Sequence, residues 1–321
     1  MKKTFTVIAL VLLAVSCNRY LDIKPYGQTI PETAEEFSAL LHAHLDEIDY
    51  GEEVVMGDGL EMADLECYAD NLAANLTHYP GGNYISLYIG EQLSAKQTLY
   101  TNLYAVIRDC NIIIGYLEDR SSRLGMDVLG TAYALRGICY YNLLRNFCQA
   151  CNPDNPGPGV PLVTEFDMEA KPTRSTYNQT VKRIEEDLNK AIEYDIQDEI
   201  YRFNSDVAKG YLARLYFWTQ QYRLAAQYAS ELLEKYPLLD AEPYKAMIGE
   251  QMAKSGNMIF KAQIYAGSSE STALTNSKNY LKNRPCSRLF YDLFAEKEKD
   301  VRFTLSVSYT HLRAHETGRN L

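Results

Sequence analysis

The sequence is poor in positive charge and has no cluster of basic residues. Its 321 residues include 32 Lys and Arg against 42 Asp and Glu, which gives a formal net charge of −10. A protein that binds nucleic acid usually presents a basic patch or stripe to the phosphate backbone. The composition therefore argues against nucleic acid as a partner.

The common catalytic and metal-binding motifs are also missing. The sequence contains no GxSxG, HExxH or P-loop motif. It has a CxxC at Cys148 and Cys151, but no second CxxC or nearby His that would complete a zinc set. An exported location would permit a disulfide between these two residues, and this alternative stays open. We predict neither a metal nor a cofactor. Cys110 and Cys139 lie within helical patterns and are predicted core residues.

Tryptophan is nearly absent, and tyrosine takes the place of the other aromatic residues. The chain has 1 Trp and 10 Phe but 26 Tyr. A tyrosine ring offers rigid apolar area with a polar tip, which suits both helix–helix contacts and sugar-binding surfaces. For any single tyrosine, packing between helices is the default interpretation.

Alternating strand patterns are lacking before about residue 257, whereas helical spacing of apolar residues is frequent. The patterns predict helices that begin near Thr33, Ser94, Val128 and Thr176. A capping box of Thr33 and Glu36 supports the first of them. Irregular segments at 50–90 and 152–173 separate the helices, and the second is rich in Pro and Gly. The first strand candidate is 258–264.

The segment from Ala208 to Pro237 has the pattern of two short helices joined by a tight turn. Small residues at Ala213 and Ala225 allow the helices to approach closely, and Pro237 marks the end of the second helix. This pattern resembles a tetratricopeptide (TPR) repeat. One such pair cannot bury its own apolar face, so it needs neighbouring helices.

The first 17 residues have the features of a lipoprotein signal peptide. Lys2 and Lys3 precede an apolar run from Val7 to Val15, which is too short to span a membrane. The residues before Cys17 then resemble a bacterial lipobox. We expect cleavage before Cys17 and lipidation of its thiol, which would anchor the mature chain to a membrane.

Several motifs together resemble the SusD/RagB family of outer-membrane lipoproteins. After the lipobox come, in the family's order, Tyr104-x-x-Ile-Arg-x-x-Asn111, Ala134-Leu-Arg-Gly137, Gly159-Val-Pro161, Ile184-Glu-Glu-Asp187 and Lys209-Gly-Tyr-Leu-Ala-Arg-Leu-Tyr216. Each motif is weak alone. Their order, behind a lipobox, carries the resemblance.

The resemblance implies a mostly α fold of TPR-like helical repeats, with long irregular loop insertions and an incomplete C-terminal subdomain. It implies a surface-exposed, lipid-anchored protein of the outer membrane of Bacteroidetes that binds a glycan or another oligomeric nutrient. The expected partner is a SusC-like TonB-dependent transporter, which would meet the TPR-like face. Because the family is not catalytic, no catalytic residue is expected.

The resemblance also suggests how the chain is divided. We expect a signal peptide at 1–17, a helical domain at 18–240 and the start of a C-terminal domain at 241–306. Family members are longer, so we expect the C-terminal domain to be truncated. Residues 307–321 resemble translated sequencing-adapter DNA and are expected to be an artefactual tail.

The predicted ligand-binding residues lie in the irregular segment 50–90. A sugar site needs flat aromatic platforms together with hydrogen-bonding groups. The segment offers both kinds of residue: Tyr68, Tyr79, Tyr84 and Tyr88, with Asn83, Asp70, Asn71 and Asn75.

Two other functions are compatible with the residues. A TPR scaffold without a small ligand would not need the long insertions. A glycoside hydrolase would need a pair of carboxylates, for which the acidic residues Asp58, Glu61, Asp64, Glu66 and Asp70 are candidates. No sequence feature pairs any two of them, so a solvated acidic loop is the simpler interpretation.

Overall fold

The computed structural model describes residues 31–50, 97–167, 169–249, 254–261, 286–296 and 299–306. This part of the chain is mostly helical, as predicted. Its α-helices are α1 (Ala34–Tyr50), α2 (Gln97–Tyr116), α3 (Arg123–Phe147), α4 (Tyr177–Tyr194), α5 (Ser205–Trp218), α6 (Tyr222–Lys235), α7 (Ala241–Gly249), α8 (Arg288–Asp292) and α9 (Val301–Ser306). A 3₁₀ helix, Glu199–Tyr201, lies between α4 and α5.

Polar caps determine where several helices begin. The Thr33 hydroxyl accepts from the Glu36 amide, and the Thr33 amide donates to the Glu36 carboxylate at 3.1 Å, which confirms the predicted capping box. Thr176 and Gln179 form the same arrangement before α4. Helix α3 begins earlier than predicted because Ser122 caps it, accepting from the Gly125 amide at 3.0 Å.

A short antiparallel hairpin interrupts the helices. It pairs β1 (Pro158–Pro161) with β2 (Arg174–Thr176). The expectation of no strand before residue 257 is therefore wrong, because strands of four and three residues are too short to show alternation. Gly159 is required here, since a Cβ at this position would lie 2.2 Å from the Thr180 hydroxyl oxygen.

The predicted strand at 258–264 is not formed in its described part, 258–261. There the Phe260 ring packs on Phe203, with ring centroids 5.2 Å apart. From the sequence alone, an apolar run of this length fits either a strand or a buried helical segment. Here the packing of the Phe260 ring determines the position of the segment.

Helix α3 is the centre of the core. It packs against α1, α2 and α4, and its residues from Val128 to Ala132 and from Ala134 to Leu144 are all buried. A helix that is buried on every side needs neighbours all round it. Cys110 of α2 and Cys139 of α3 are fully buried, which confirms their prediction as core residues.

A buried ion pair joins α3 to α4. The Arg136 guanidinium donates to both carboxylate oxygens of Asp187, at 2.8 and 2.7 Å. The side chains are 3% and 0% exposed. Arg136 also donates to the Asn111 side-chain oxygen of α2 at 2.7 Å, and Arg183 donates to Asp187 at 2.7 Å. Although burial opposes it, the hydrogen bonds to Asp187 raise the pKa of Arg136 above its usual value.

The same polar network holds the chain segment that follows β1. The Val163 carbonyl accepts from the Asn111 amide group at 2.9 Å and from the Tyr140 hydroxyl at 2.8 Å. The Tyr140 hydroxyl in turn accepts from the Val163 amide at 2.8 Å. Tyr104 donates to the Pro161 carbonyl at 2.7 Å. These contacts satisfy half-buried backbone groups that no regular sheet satisfies here. We call the set Tyr104, Asn111, Arg136, Tyr140 and Asp187 the core network.

Arg136→Met should lower the free energy of unfolding by about 3–5 kcal/mol, because it leaves the Asp187 carboxylate buried without its main partner. Urea denaturation followed by circular dichroism measures this change. Lys182→Ala is the matched control, since Lys182 is 75% exposed and lies 3.7 Å from Glu186. It should change stability by less than about 0.5 kcal/mol.

The double variant Arg136→Met/Asp187→Leu separates charge from packing. It should be more stable than Arg136→Met alone, since no uncompensated carboxylate remains. If Arg136→Met costs no more than Lys182→Ala, the ion pair does not stabilise the fold.

Candidate functional site

The TPR-like pair predicted at 208–237 is formed by α5 and α6. Asp206 lies in the first turn of α5 and accepts two hydrogen bonds from the end of α6. The Lys235 ammonium group, at the last residue of α6, donates one of them, and the hydroxyl of Tyr236, the next residue, donates the other at 2.6 Å. Burial alone would raise the pKa of Asp206, but these two hydrogen bonds lower it. Its charge therefore stabilises the folded pair at neutral pH, and this contribution is lost as the pH falls through the lowered pKa.

An open groove of about 500 Å³ runs along the α5–α6 pair. We call it the α5–α6 groove. Its floor consists of small residues, namely Ala213, Ala225, Ala226 and Ala229. Its aromatic lining consists of Tyr141, Phe217, Trp218 and Tyr222. Phe217 and Tyr222 are 67% and 57% exposed, and their rings meet edge to face with centroids 5.6 Å apart.

One positive charge lies at the α5–α6 groove. The Arg214 guanidinium stacks on the rings of Tyr141 and Tyr211, 5.4 and 5.3 Å from their centroids. Stacking of this kind holds an arginine in place while its outer edge stays able to donate hydrogen bonds. The groove therefore combines an exposed apolar surface with one oriented cation. Such exposed apolar surfaces mark interaction sites.

The sequence predicts the TPR-like face as the transporter surface, but it does not single out this groove within it. Phe217 and Tyr222 were not predicted as surface residues, and both face outward. The available signal was their position: Phe217 falls outside the helical stripe of Tyr211, Leu212 and Leu215, which are buried.

The predicted ligand and anchor residues lie outside the described part of the chain. These are Tyr68, Tyr79, Asn83, Tyr84, Tyr88 and Cys17. The same holds for the other polar candidates of that segment and for the acidic residues considered for hydrolysis, Asp58 to Asp70. Their roles therefore remain predictions.

The CxxC residues are half-buried free thiols in this structure. Cys148 directly follows α3, and burial raises the pKa of its thiol despite the nearby Arg174 guanidinium. The Cys151 carbonyl accepts from the Gln220 side chain at 2.9 Å, which joins this loop to the turn between α5 and α6.

Among the described residues, no three His, Cys, Asp or Glu side chains form a group that could hold a metal ion.

Comparison with known proteins identifies the family. A family model described as starch-binding and associating with the outer membrane, the SusD-like model, matches residues 19–217. The chain belongs to the SusD-like family. The matched range includes the whole core network and nearly all of α5. No curated protein gives a significant match.

Solved structures share the SusD-like fold at low sequence identity. A SusD superfamily protein from Bacteroides thetaiotaomicron VPI-5482 is 22% identical, with a TM-score of 0.65 over 88% of this chain and 67% of its own. A SusD-like carbohydrate binding protein from Bacteroides vulgatus ATCC 8482 is 18% identical, with a TM-score of 0.65 over 85% of this chain and 60% of its own. The chain thus spans 60–67% of the length of these two relatives.

Three of the SusD-like motifs supply residues of the core network. Tyr104 and Asn111 come from one motif, Arg136 from a second and Asp187 from a third. Asn111, Arg136 and Asp187 meet around one buried polar centre, and Tyr104 holds the adjoining loop through the Pro161 carbonyl. They bind the fold's own backbone and side chains.

In the described part of the chain, no helix is long and apolar enough to cross a membrane.

Proposed function

We propose that this protein is a lipid-anchored outer-membrane protein that binds glycans and delivers them to a SusC-like TonB-dependent transporter. The main support is the family match over 19–217, whose model is described as starch-binding and associating with the outer membrane. The signal-peptide features and Cys17 support the anchor. The protein acts by binding and not by catalysis.

Two buried carboxylates of the described helices, Asp187 and Asp109, have structural partners that fit a binding role. Asp187 and Arg136 neutralise each other, and Asp109 accepts hydrogen bonds from His44 and Arg108, with its carboxylate oxygens 3.0 and 2.8 Å from the donor nitrogens. Active sites usually hold ionisable groups poised near neutral pH. Here, although burial opposes it, the hydrogen bonds of His44 and Arg108 lower the pKa of Asp109. Asp109 is therefore a stabilised carboxylate and a poor general base.

Two different surfaces serve the two partners in this proposal. The segment 50–90 holds tyrosines next to asparagines, which is the combination that sugar rings require. The α5–α6 groove has aromatic walls and an alanine floor but few hydrogen-bonding groups. Sugar hydroxyls would lose hydrogen bonds to water in such a groove. It suits an apolar protein segment, and we assign it to the transporter.

Two sets of variants test whether the glycan and the transporter bind to different surfaces. Tyr68→Ala, Tyr79→Ala, Tyr84→Ala and Tyr88→Ala, made singly, are tested by calorimetry against a panel of oligosaccharides and peptides. At least one of them should weaken glycan binding about tenfold, since a lost aromatic platform removes one stacking contact. None of them should reduce co-purification with the transporter.

The groove variant Phe217→Ser/Tyr222→Ser should show the reverse behaviour. Because both side chains are largely exposed, the thermal stability should change little. Transporter co-purification should be lost, and glycan affinity should stay unchanged. Each set is thus the control for the other. The proposal fails for the glycan surface if all four tyrosine variants bind like the wild type.

Cys17→Ala tests the anchor. Without the thiol, no lipid can be attached, so the chain should remain unprocessed or leave the membrane fraction. Fractionation of cells and metabolic labelling with a fatty-acid analogue report the change. Cys286→Ala, outside the signal peptide, is the control and should fractionate normally. Wild-type fractionation of Cys17→Ala would contradict lipid anchoring.

A further inference from the structure

Arg202 has a strained backbone conformation. It lies just after the 3₁₀ helix, with φ 60° and ψ −32°. The Phe203 amide donates to the Tyr201 carbonyl at 2.6 Å, so Arg202 is the central residue of a γ-turn with positive φ. This turn is rare and strained for a residue with a side chain. Residues in such conformations occur often at ligand-binding sites, where the surrounding structure holds them in place.

The two neighbours of Arg202 hold the turn in place. Tyr201 is 2% exposed, its hydroxyl lies 2.7 Å from the Ser38 hydroxyl, and its ring stacks on His42. Phe203 is fully buried and packs on Phe260. Because both aromatic rings are fixed in the interior, the backbone between them must reverse sharply at Arg202.

Arg202 lines a pocket of about 270 Å³ at the start of α5. Lys254, Lys261, Asn204, Phe260 and Glu199 line it too. Three cationic side chains thus face one carboxylate, in a chain whose net charge is −10. Asn204 is the N-cap of α5, so the positive end of the helix dipole is at the pocket as well. We call this site the Arg202 pocket.

We infer that the Arg202 pocket binds the anionic substituent of an acidic saccharide, either a uronic acid carboxylate or a sulfate ester. This inference rests on the proposed glycan-binding function and names a class of glycan for it. The planar guanidinium group of an arginine matches two oxygens of a carboxylate or sulfate, and lysines add charge. Phe260 offers an aromatic surface for the apolar side of the same sugar ring. The volume is small for a drug-sized ligand and suits one sugar residue.

The first test compares saccharides that differ only in charge. Calorimetry of the full chain uses tetragalacturonate with its neutral methyl ester, and a sulfated dextran oligosaccharide with its neutral, unsulfated form. The anionic member of at least one pair should bind about tenfold or more tightly, as expected for hydrogen bonds to a charged group. The preferred pair distinguishes carboxylate from sulfate. The preference should shrink in high salt.

Variants then assign the preference to the pocket. Arg202→Gly removes the guanidinium, and glycine adopts positive φ without strain, so the turn itself is preserved. Lys254→Ala removes an exposed charge without touching the turn. Both should reduce the affinity for the anionic saccharide about tenfold and leave the affinity for its neutral partner unchanged. Lys182→Ala, which removes a charge from the exposed side of α4, should change neither.

The possible failures are distinct. Equal affinity for both members of each pair, or absence of binding by both anionic probes, contradicts the inference. The inference is also contradicted if Lys254→Ala and Arg202→Gly, measured separately, both bind the anionic saccharide as tightly as the wild type does. In each case, binding of a neutral oligosaccharide from the panel would leave the proposed function intact. A chain that binds no saccharide at all contradicts both.

Discussion

The ion pair of Arg136 and Asp187 is the constraint on which the rest of the helical body depends. A guanidinium and a carboxylate that are both removed from water destabilise a fold unless their remaining hydrogen-bonding groups also find partners. Here Asn111 and Arg183 supply those partners. Helices α2, α3 and α4 must therefore keep one relative position, in which all of these groups meet.

The hydrogen bonds that support the buried ion pair extend from the helices to an irregular loop. Asn111 donates to the Val163 carbonyl as well as accepting from Arg136, so the loop after β1 is part of the same network. Tyr104 and Tyr140 hold the loop at two further points. A buried polar network in which Arg136, Asp187 and Asn111 are all hydrogen-bonded favours a single arrangement over alternatives of similar compactness. This explains why a segment rich in Pro and Gly has a definite place on the helical body.

The helices were predictable from the sequence because their signals are local. The capping box of Thr33 and the helix–turn–helix pattern of 208–237 operate over a few residues, and the structure confirms both. The core network was not predictable, because Arg136 is 51 residues from Asp187 and 25 from Asn111. The γ-turn at Arg202 depends on the burial of its two neighbours by distant residues, and no local pattern reveals that. The candidate glycan residues of 50–90 were predicted from chemistry alone, and that prediction stands on the residue types.

The family motifs therefore describe a scaffold, and function is expected at the surfaces that the scaffold carries. Hydrogen exchange of the full chain tests this most directly. If the core network makes α2, α3, α4 and 161–164 one cooperative unit, the Val163 amide should exchange only through global unfolding, as slowly as the central amides of α3 and α4. Exchange of Val163 on the timescale of an exposed loop, while α3 and α4 stay protected, would contradict that claim.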